Sequence, residues 1–183
     1  KGVLEALREP MQDGKIRISR VNSKVEYPAS FLFVGAMNPC PCGNLLDANK
    51  ECRCGDLEVK KYKNRLSDPF LDRIDLNVVM QKVTRSDKPG LSSKQMHKFV
   101  VESHIFAKNR GQESFNANLN DKEIEKFCIL EDDARAALDM AIDRFSLSFR
   151  SIKKVQKVAR SVADLDKSEK IEKKHLLEAL SFR

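Results

Sequence analysis

The stretch FLFVGAMNPCPCG, residues 31–43, decides the fold class of this 183-residue chain. Its first seven residues form an almost continuous apolar run, which is typical of a strand buried on both faces of a parallel sheet. Asn38 follows at the carboxyl end of that run, where open α/β sheets place ligand-handling groups, and its amide can both donate and accept a hydrogen bond. A second such run, LDRIDLNVVM at residues 71–80, predicts another strand. We therefore expect a parallel sheet covered by helices.

A β-hairpin is predicted upstream of that strand. KIRISR, residues 15–20, alternates and is rich in β-formers, VNSK supplies a turn, and residues 25–27 can pair back.

The rest of the chain has the period of helices. Glycine and proline become rare after about residue 82, and TRSDKPGLSS, residues 84–93, has the composition of a linker. We therefore predict an α/β domain at residues 1–82, a linker at 83–91 and an all-helical domain at 92–183. The predicted core faces of its helices are Met96, Phe99, Val100, Ser103 and Ala107; Ala134, Leu138, Ala141, Ile142 and Phe145; Ile152, Val155, Ala159 and Val162; and Leu176, Leu177 and Leu180.

The composition indicates a folded chain. Hydrophobic residues make up 41%, no apolar run approaches the length of a membrane span, and the first ten residues lack the features of a signal peptide, so we expect a cytoplasmic protein. Because the chain begins at Lys1, inside an amphipathic pattern, we expect it to be a piece of a longer protein that supplies further strands. The net charge of +7 fits either a polyanionic partner or a solvated lysine-rich surface.

Four of the five cysteines crowd into one short segment. Cys40, Cys42, Cys52 and Cys54 form a Cys-x-Cys, nine-residue loop, Cys-x-Cys array. Four thiolates closing one loop suit a tetrahedral zinc ion, which replaces a hydrophobic core that the loop cannot build. Because the spacing is not the common Cys-x-x-Cys, an iron–sulfur cluster and four free thiols are the alternatives.

Five motifs, in order along the chain, resemble the Mg-chelatase-like AAA+ ATPases of the ComM/YifB kind. They are LREPMQDGKIRISR at 7–20, YPASFLFVGAMNPCPCG at 27–43, NRLSDPFLDRIDL at 64–76, LSFRSIKKVQKVARSVADL at 147–165 and HLLEAL at 175–180. The resemblance covers nearly the whole chain. It implies the C-terminal part of an AAA+ core followed by a helical lid, from a protein that uses ATP and Mg²⁺ and self-associates into a hexameric ring.

The resemblance also implies roles for individual residues. Asn38 matches sensor 1, which orients the water that attacks the γ-phosphate of ATP. Arg73, in FLDRID, matches the arginine finger that reaches the nucleotide of the neighbouring subunit. Arg150, in LSFRS, matches sensor 2 of the lid, and Arg65 is a further candidate for the subunit interface. For any one of these arginines taken alone, the alternative is a surface ion pair.

The hairpin corresponds, by the same resemblance, to the hairpin before sensor 1 that projects basic side chains into the pore of related helicases. Arg20 and Lys24 flank its turn and are therefore candidates for contact with the DNA backbone. A solvated hairpin tip is the equal alternative.

Two departures from the family pattern bear on activity. The glycine-rich GxxxxGK[ST] loop and the acidic Walker B strand occur nowhere in these residues, so we expect no ATP hydrolysis by this chain alone. Asp68, between Ser67 and Pro69, takes the place of the glycine that family members usually carry before the finger motif, which adds a carboxylate near Arg73.

Three functions are compatible with these motifs. The first is a ComM-like ATP-driven motor that acts on DNA, as a helicase or in branch migration during recombination or transformation. The second is a magnesium-chelatase ATPase subunit that drives Mg insertion into a porphyrin, and the third is a non-catalytic helical adaptor. The cysteine array and the ending VARSVADL…HLLEAL favour the first over the second. The extent of the resemblance argues against the third.

Overall fold

The computed structural model describes residues 2–21, 23–47, 49–81 and 83–183, which fall into two compact units. The first unit comprises Lys1–Ile74 and Val79–Thr84, and the second comprises Asp75–Val78 and Arg85–Arg183. The chain thus passes between the units more than once in the region that follows Ile74.

The first unit contains short helices and one hairpin. In chain order its elements are α1 (Gly2–Ala6), α2 (Arg8–Asp13), β1 (Lys15–Arg20), β2 (Ser23–Pro28), α3 (Asp56–Lys63) and α4 (Asp68–Leu71). Gly14 caps the C-terminus of α2, its φ of 63° lies in the left-handed region that glycine tolerates, and the chain then enters β1. The two strands pair antiparallel from Lys15↔Pro28 to Arg20↔Ser23. The predicted hairpin is therefore confirmed.

The two apolar runs predicted as parallel strands do not form strands in the described part of the chain. Residues 31–37 have irregular backbone, and the second run begins at the end of α4. The described sheet is the two-stranded β1–β2 hairpin, so the predicted parallel sheet is wrong for these residues. A strand is held by ladder hydrogen bonds to neighbouring strands, and these runs find no such neighbour here. Their side chains remain uncovered: Leu32 is 89% exposed and Val79 is 71% exposed.

The second unit is helical, as the period predicts. It contains α5 (Ser93–Asn109), a 3₁₀ turn (Asn116–Asn118), α6 (Asp121–Phe127), α7 (Asp132–Phe145), α8 (Phe149–Leu165) and α9 (Lys173–Ser181). Ser92, Asn120 and Ser148 cap α5, α6 and α8 by accepting a hydrogen bond from a backbone N–H of the first turn, which otherwise lacks a partner. No helix among the described residues is long and apolar enough to cross a membrane.

The core of this unit lies between α6, α7, α8 and α9. Its members are Leu119, Ile124, Phe127, Cys128, Ala137, Leu138, Val155, Ala159, Ala163, Ile171, Leu176 and Ala179. The predicted core faces of α7 and α8 are therefore largely correct. The predicted core face of α5 is wrong over its first half, where Met96, Phe99 and Val100 are exposed. The buried and half-buried residues of α5 lie between positions 102 and 107.

Candidate metal centre and predicted site residues

The structure brings the four clustered cysteines together. The Sγ atoms of Cys40, Cys42, Cys52 and Cys54 all lie within 4.8 Å of one another. The Cys40 sulfur lies 3.4 Å from that of Cys42 and 3.7 Å from that of Cys52, and the sulfurs of Cys42 and Cys52 are 3.7 Å apart. Cys40 is fully buried, whereas the other three side chains reach the surface to different degrees.

These distances fit one tetrahedral ion. Four sulfurs at about 2.3 Å from a central zinc lie about 3.8 Å from each other, which is close to the separations observed here. In an iron–sulfur cluster the four thiolates are shared among two or more irons, so those on different irons stand further apart than the sulfurs do here, and the arrangement favours a single ion. Among the described residues no other group of histidine, cysteine and carboxylate side chains converges in this way.

The thiols also require a cation if all four are to ionise. The backbone amides of Asn44 and Arg53 donate to the Cys42 sulfur and, together with the Cys40 thiol, lower the Cys42 pKa to about 6. A backbone amide lowers the pKa of Cys54 as well, but burial and the neighbouring sulfurs of Cys42 and Cys40 outweigh it and raise that pKa to about 12. Like charges at this distance cannot all form in a metal-free loop. A bound Zn²⁺ would supply the missing positive charge.

Asn38 lies beside this loop. It follows the irregular segment at 31–37, and its side chain is exposed. Gly43, with a φ of 78°, comes back next to it, so that a Cβ built on Gly43 would lie 3.8 Å from the Cγ and Nδ2 atoms of Asn38. The predicted sensor thus lies beside the predicted metal loop, with room for a methyl group between the Asn38 amide and Gly43.

Arg73 follows α4 and is half-buried, with its guanidinium bonded within its own chain. Its Nε donates to the carbonyl of Arg8 at 3.0 Å, one Nη donates to the Gln12 side chain at 2.6 Å, and the other donates to the carbonyl of Pro69. Arg8, Gln12 and Arg73 line an open polar cavity of about 350 Å³, together with the acidic side chains of α1 and α2. Sequence reasoning did not find this cradle, because contacts between residues 61 or more positions apart leave no local signal.

The other two arginines are exposed. Arg65 follows α3, and its guanidinium lies over the Tyr62 ring at 5.3 Å from the centroid, a cation–π contact. Arg150 is the second residue of α8, in the second unit, and is also exposed. Neither side chain is engaged in an ion pair with a described residue, so the alternative of a surface ion pair finds no support in the described chain.

Arg20 and Lys24 lie at the tip of the hairpin but on opposite faces. Cross-strand partners share a face, and the register pairs Arg20 with Ser23 and Ser19 with Lys24. Arg20 therefore shares the apolar face of Ile18 and Val25. Lys24 shares the face on which Lys15 and Arg17 form ion pairs with Glu26. A molecule bound at the hairpin tip would therefore contact one cationic side chain on each face of the hairpin.

A buried ionic network in the second unit was also missed. Arg160 is 0% exposed and Asp164 is 1% exposed, and they are one helical turn apart in α8. Arg110 donates to both carboxylate oxygens of Asp164, at 2.6 and 3.2 Å, and Asn116 donates to one of them at 2.8 Å. Arg160 also donates to the carbonyls of Ser168 and Glu169, which fixes the loop after α8. The i,i+4 spacing of Arg160 and Asp164 in the sequence could have predicted this ion pair.

Comparison with known proteins identifies the relatives of this chain. The family model for magnesium chelatase, subunit ChlI, matches residues 1–88, and the model for the ChlI C-terminal region matches residues 90–183. The chain is 38% identical over 186 residues to competence protein ComM of Haemophilus influenzae. It is 37% identical over 185 residues to the uncharacterized protein YifB of Salmonella typhimurium and 38% identical over 185 residues to YifB of Escherichia coli.

These alignments cover 98–99% of the chain but only 36% of each relative, so the chain spans about a third of the length of the curated relatives it matches. Both family models together account for nearly all of its residues. The chain belongs to the magnesium chelatase family, in its ComM/YifB branch.

Proposed function

We propose that this chain is part of an ATP-driven AAA+ ring motor that acts on DNA in the cytoplasm. The observation that carries the proposal is 38% identity to competence protein ComM over 99% of the chain. In this proposal residues 1–82 form the C-terminal part of the AAA+ core, residues 83–91 a linker and residues 92–183 the helical lid. The phosphate-binding loop and the Walker B acid belong to the part of the protein outside this chain, so turnover of ATP needs the longer protein and its ring.

The proposed chemistry is positioning and charge stabilisation around ATP and Mg²⁺. Asn38 orients the attacking water, Arg73 stabilises the charge that develops on the transferred phosphoryl group of the neighbouring subunit, and Arg150 contacts the phosphates from the lid. To act across a subunit interface, the Arg73 guanidinium exchanges its bonds to Gln12 and the Arg8 carbonyl for the nucleotide. Arg65 lies eight residues earlier and is proposed to face the same interface.

Zinc at the four-cysteine loop is the second part of the proposal. Convergence of the four sulfurs within 4.8 Å supports it. The reduced chain should carry about one zinc ion when expressed with metal. Cys52→Ser with Cys54→Ser should abolish zinc binding while the helical second unit keeps its circular dichroism at 222 nm. Cys128→Ser is the matched control and should leave zinc binding unchanged, since Cys128 lies in the core of the second unit. A metal-replete chain that contains neither zinc nor iron would contradict the site.

Binding of DNA by the whole protein decides between the leading functions. We expect binding to single-stranded or branched DNA and stimulation of ATP turnover by that DNA, with contact through Arg20 and Lys24. The alternative is a chelatase ATPase subunit, which the description of the family model favours. That alternative would be established if the protein does not bind DNA and its ATP turnover supports insertion of Mg²⁺ into a porphyrin in the presence of a partner subunit.

A further inference from the structure

The amide of Asn38 lies beside a turn of the four-cysteine loop. The Gly43 N–H donates to the Cys40 carbonyl at 3.1 Å and closes a tight turn over residues 40–43. The φ of 78° at Gly43 is left-handed and reverses the chain, which brings this residue back to Asn38. A Cβ at Gly43 would stand 3.8 Å from both Cγ and Nδ2 of Asn38, an ordinary van der Waals distance.

The backbone that carries this amide sets its position. Within the described chain the Asn38 side chain makes no hydrogen bond, and it is exposed. The terminal torsion of an asparagine is broad and roughly two-fold, so its setting depends on the atoms beside it. Asn38 lies two residues before Cys40, where the turn begins, so any movement of that turn shifts the backbone from which the amide departs.

The metal ligands control the same turn. Cys40 and Cys42 both lie between Asn38 and Gly43, and their sulfurs meet those of Cys52 and Cys54 from the far arm of the loop. Thiols are weak hydrogen-bond donors and acceptors, so without an ion the turn depends on one backbone hydrogen bond and on weak sulfur contacts. A tetrahedral ion would replace those contacts with four metal–sulfur bonds that join both arms at one point.

We infer that the four-cysteine loop is a positioning device for the Asn38 amide, so that metal loading raises ATP turnover and leaves nucleotide affinity unchanged. The inference rests on the proposed role of Asn38 in ATP hydrolysis. Gly43 is a positioning residue in this account, because it acts through Asn38. The separation of turnover from affinity follows because a water-orienting amide acts on the reacting atoms rather than on the bound nucleotide.

The first test observes the amide itself. In the ¹⁵N-labelled 183-residue chain, one equivalent of zinc chloride added to the reduced, metal-free protein should shift and sharpen the side-chain amide resonances of Asn38, which an Asn38→Ala variant assigns. The side-chain amide of Asn116, which is bonded to Ser161 and Asp164 in the second unit, is the internal control and should not move. Stoichiometric zinc binding with an unchanged Asn38 signal overturns the inference.

The second test uses the longer protein that contains this chain. Gly43→Ala forces a side chain into a left-handed conformation against Asn38 and should lower kcat by about tenfold or more, with the nucleotide Kd changed by less than about twofold. Gly55→Ala is the matched control, since Gly55 has a φ of −71° and nothing within 4 Å of its Cβ position, and it should behave as the parent. If Gly43→Ala loses zinc, chelated and reloaded parent protein provides the same comparison of kcat and Kd.

The two proposals fail in different ways. If Asn38→Ala turns over ATP normally, the proposed role of Asn38 is wrong, and the resonance shift alone then decides whether the loop positions the amide. If Asn38→Ala is inactive but metal removal changes neither the resonance nor kcat, the role of Asn38 stands and the positioning device is refuted.

Discussion

The carboxylate of Asp164 joins three other side chains of the second unit in one buried network. Asp164 is 1% exposed, and its two carboxylate oxygens accept hydrogen bonds from Arg110, Arg160 and Asn116. Asp164→Asn keeps the shape but replaces one acceptor oxygen with an NH₂ donor, which then faces two donors. It also removes the charge that pairs with the fully buried guanidinium of Arg160.

The cost of this substitution can be worked from the contacts. Two hydrogen bonds to a charged acceptor are lost, at about 1.5–3 kcal/mol each. A second estimate of the same cost comes from the buried ion pair, since removing one partner of such a pair costs about 3–5 kcal/mol. The two figures overlap near 4 kcal/mol, and for a domain of this size that loss lowers Tm by about 15 °C or more.

Urea denaturation followed at 222 nm measures the effect, since the long helices α5, α7 and α8 all lie in the second unit. Asp139→Asn is the same chemical change at an exposed position of α7 and should alter the free energy of unfolding by no more than about 0.5 kcal/mol. A loss below about 1 kcal/mol for Asp164→Asn, with an unchanged m-value, would refute the reasoning that the network is tightly coupled.

Three further outcomes are expected. In the full ring Arg73→Ala should reduce ATP turnover by about a thousandfold or more while nucleotide binding changes little, and mixing with subunits that lack the phosphate-loop lysine should restore some activity; normal turnover by the variant would exclude the finger role. Arg150→Ala should weaken both nucleotide binding and turnover, as measured by nucleotide titration and steady-state kinetics, and unchanged affinity would exclude a phosphate contact. Arg20→Ala with Lys24→Ala should lower DNA affinity and reduce the slope of log K against log salt by about two, and an unchanged slope would remove the hairpin tip from the interface.

Zinc affinity should fall with acidification. Metal binds thiolates, so protons compete with it, and Cys54, whose pKa is raised to about 12, must release its proton when the ion binds at neutral pH. Cys42, whose pKa is lowered to about 6, is already ionised at pH 7 and contributes less to that release. Calorimetry in buffers of different ionisation enthalpy counts the protons; zinc binding without proton release would contradict the assignment of thiolate ligands.

Prediction from the sequence succeeded where the signal was local. The hairpin at Lys15–Arg20 and Ser23–Pro28 follows from alternation and turn residues that are close in the chain. The helices of the second unit follow from a 3.6-residue period and from caps such as Ser92 and Ser148. The four cysteines converge because the two Cys-x-Cys pairs are only nine residues apart, so a single reversal of the chain brings them together. The roles of Asn38, Arg73 and Arg150 remain predictions from the family resemblance.

Tertiary structure decided what depends on distant partners. The run at residues 31–37 is apolar enough for a buried strand, yet a strand exists only where another strand supplies its ladder of hydrogen bonds, and that property belongs to the pair. The cradle of Arg73 on α2 and the network of Arg110 with Asp164 likewise join residues 54 or more positions apart. The sequence by itself therefore determined the short-range elements, the metal-capable loop and the family. The environment of each charged side chain was set by the packing that brings remote segments within a few ångströms, because electrostatic and hydrogen-bond energies depend on that separation.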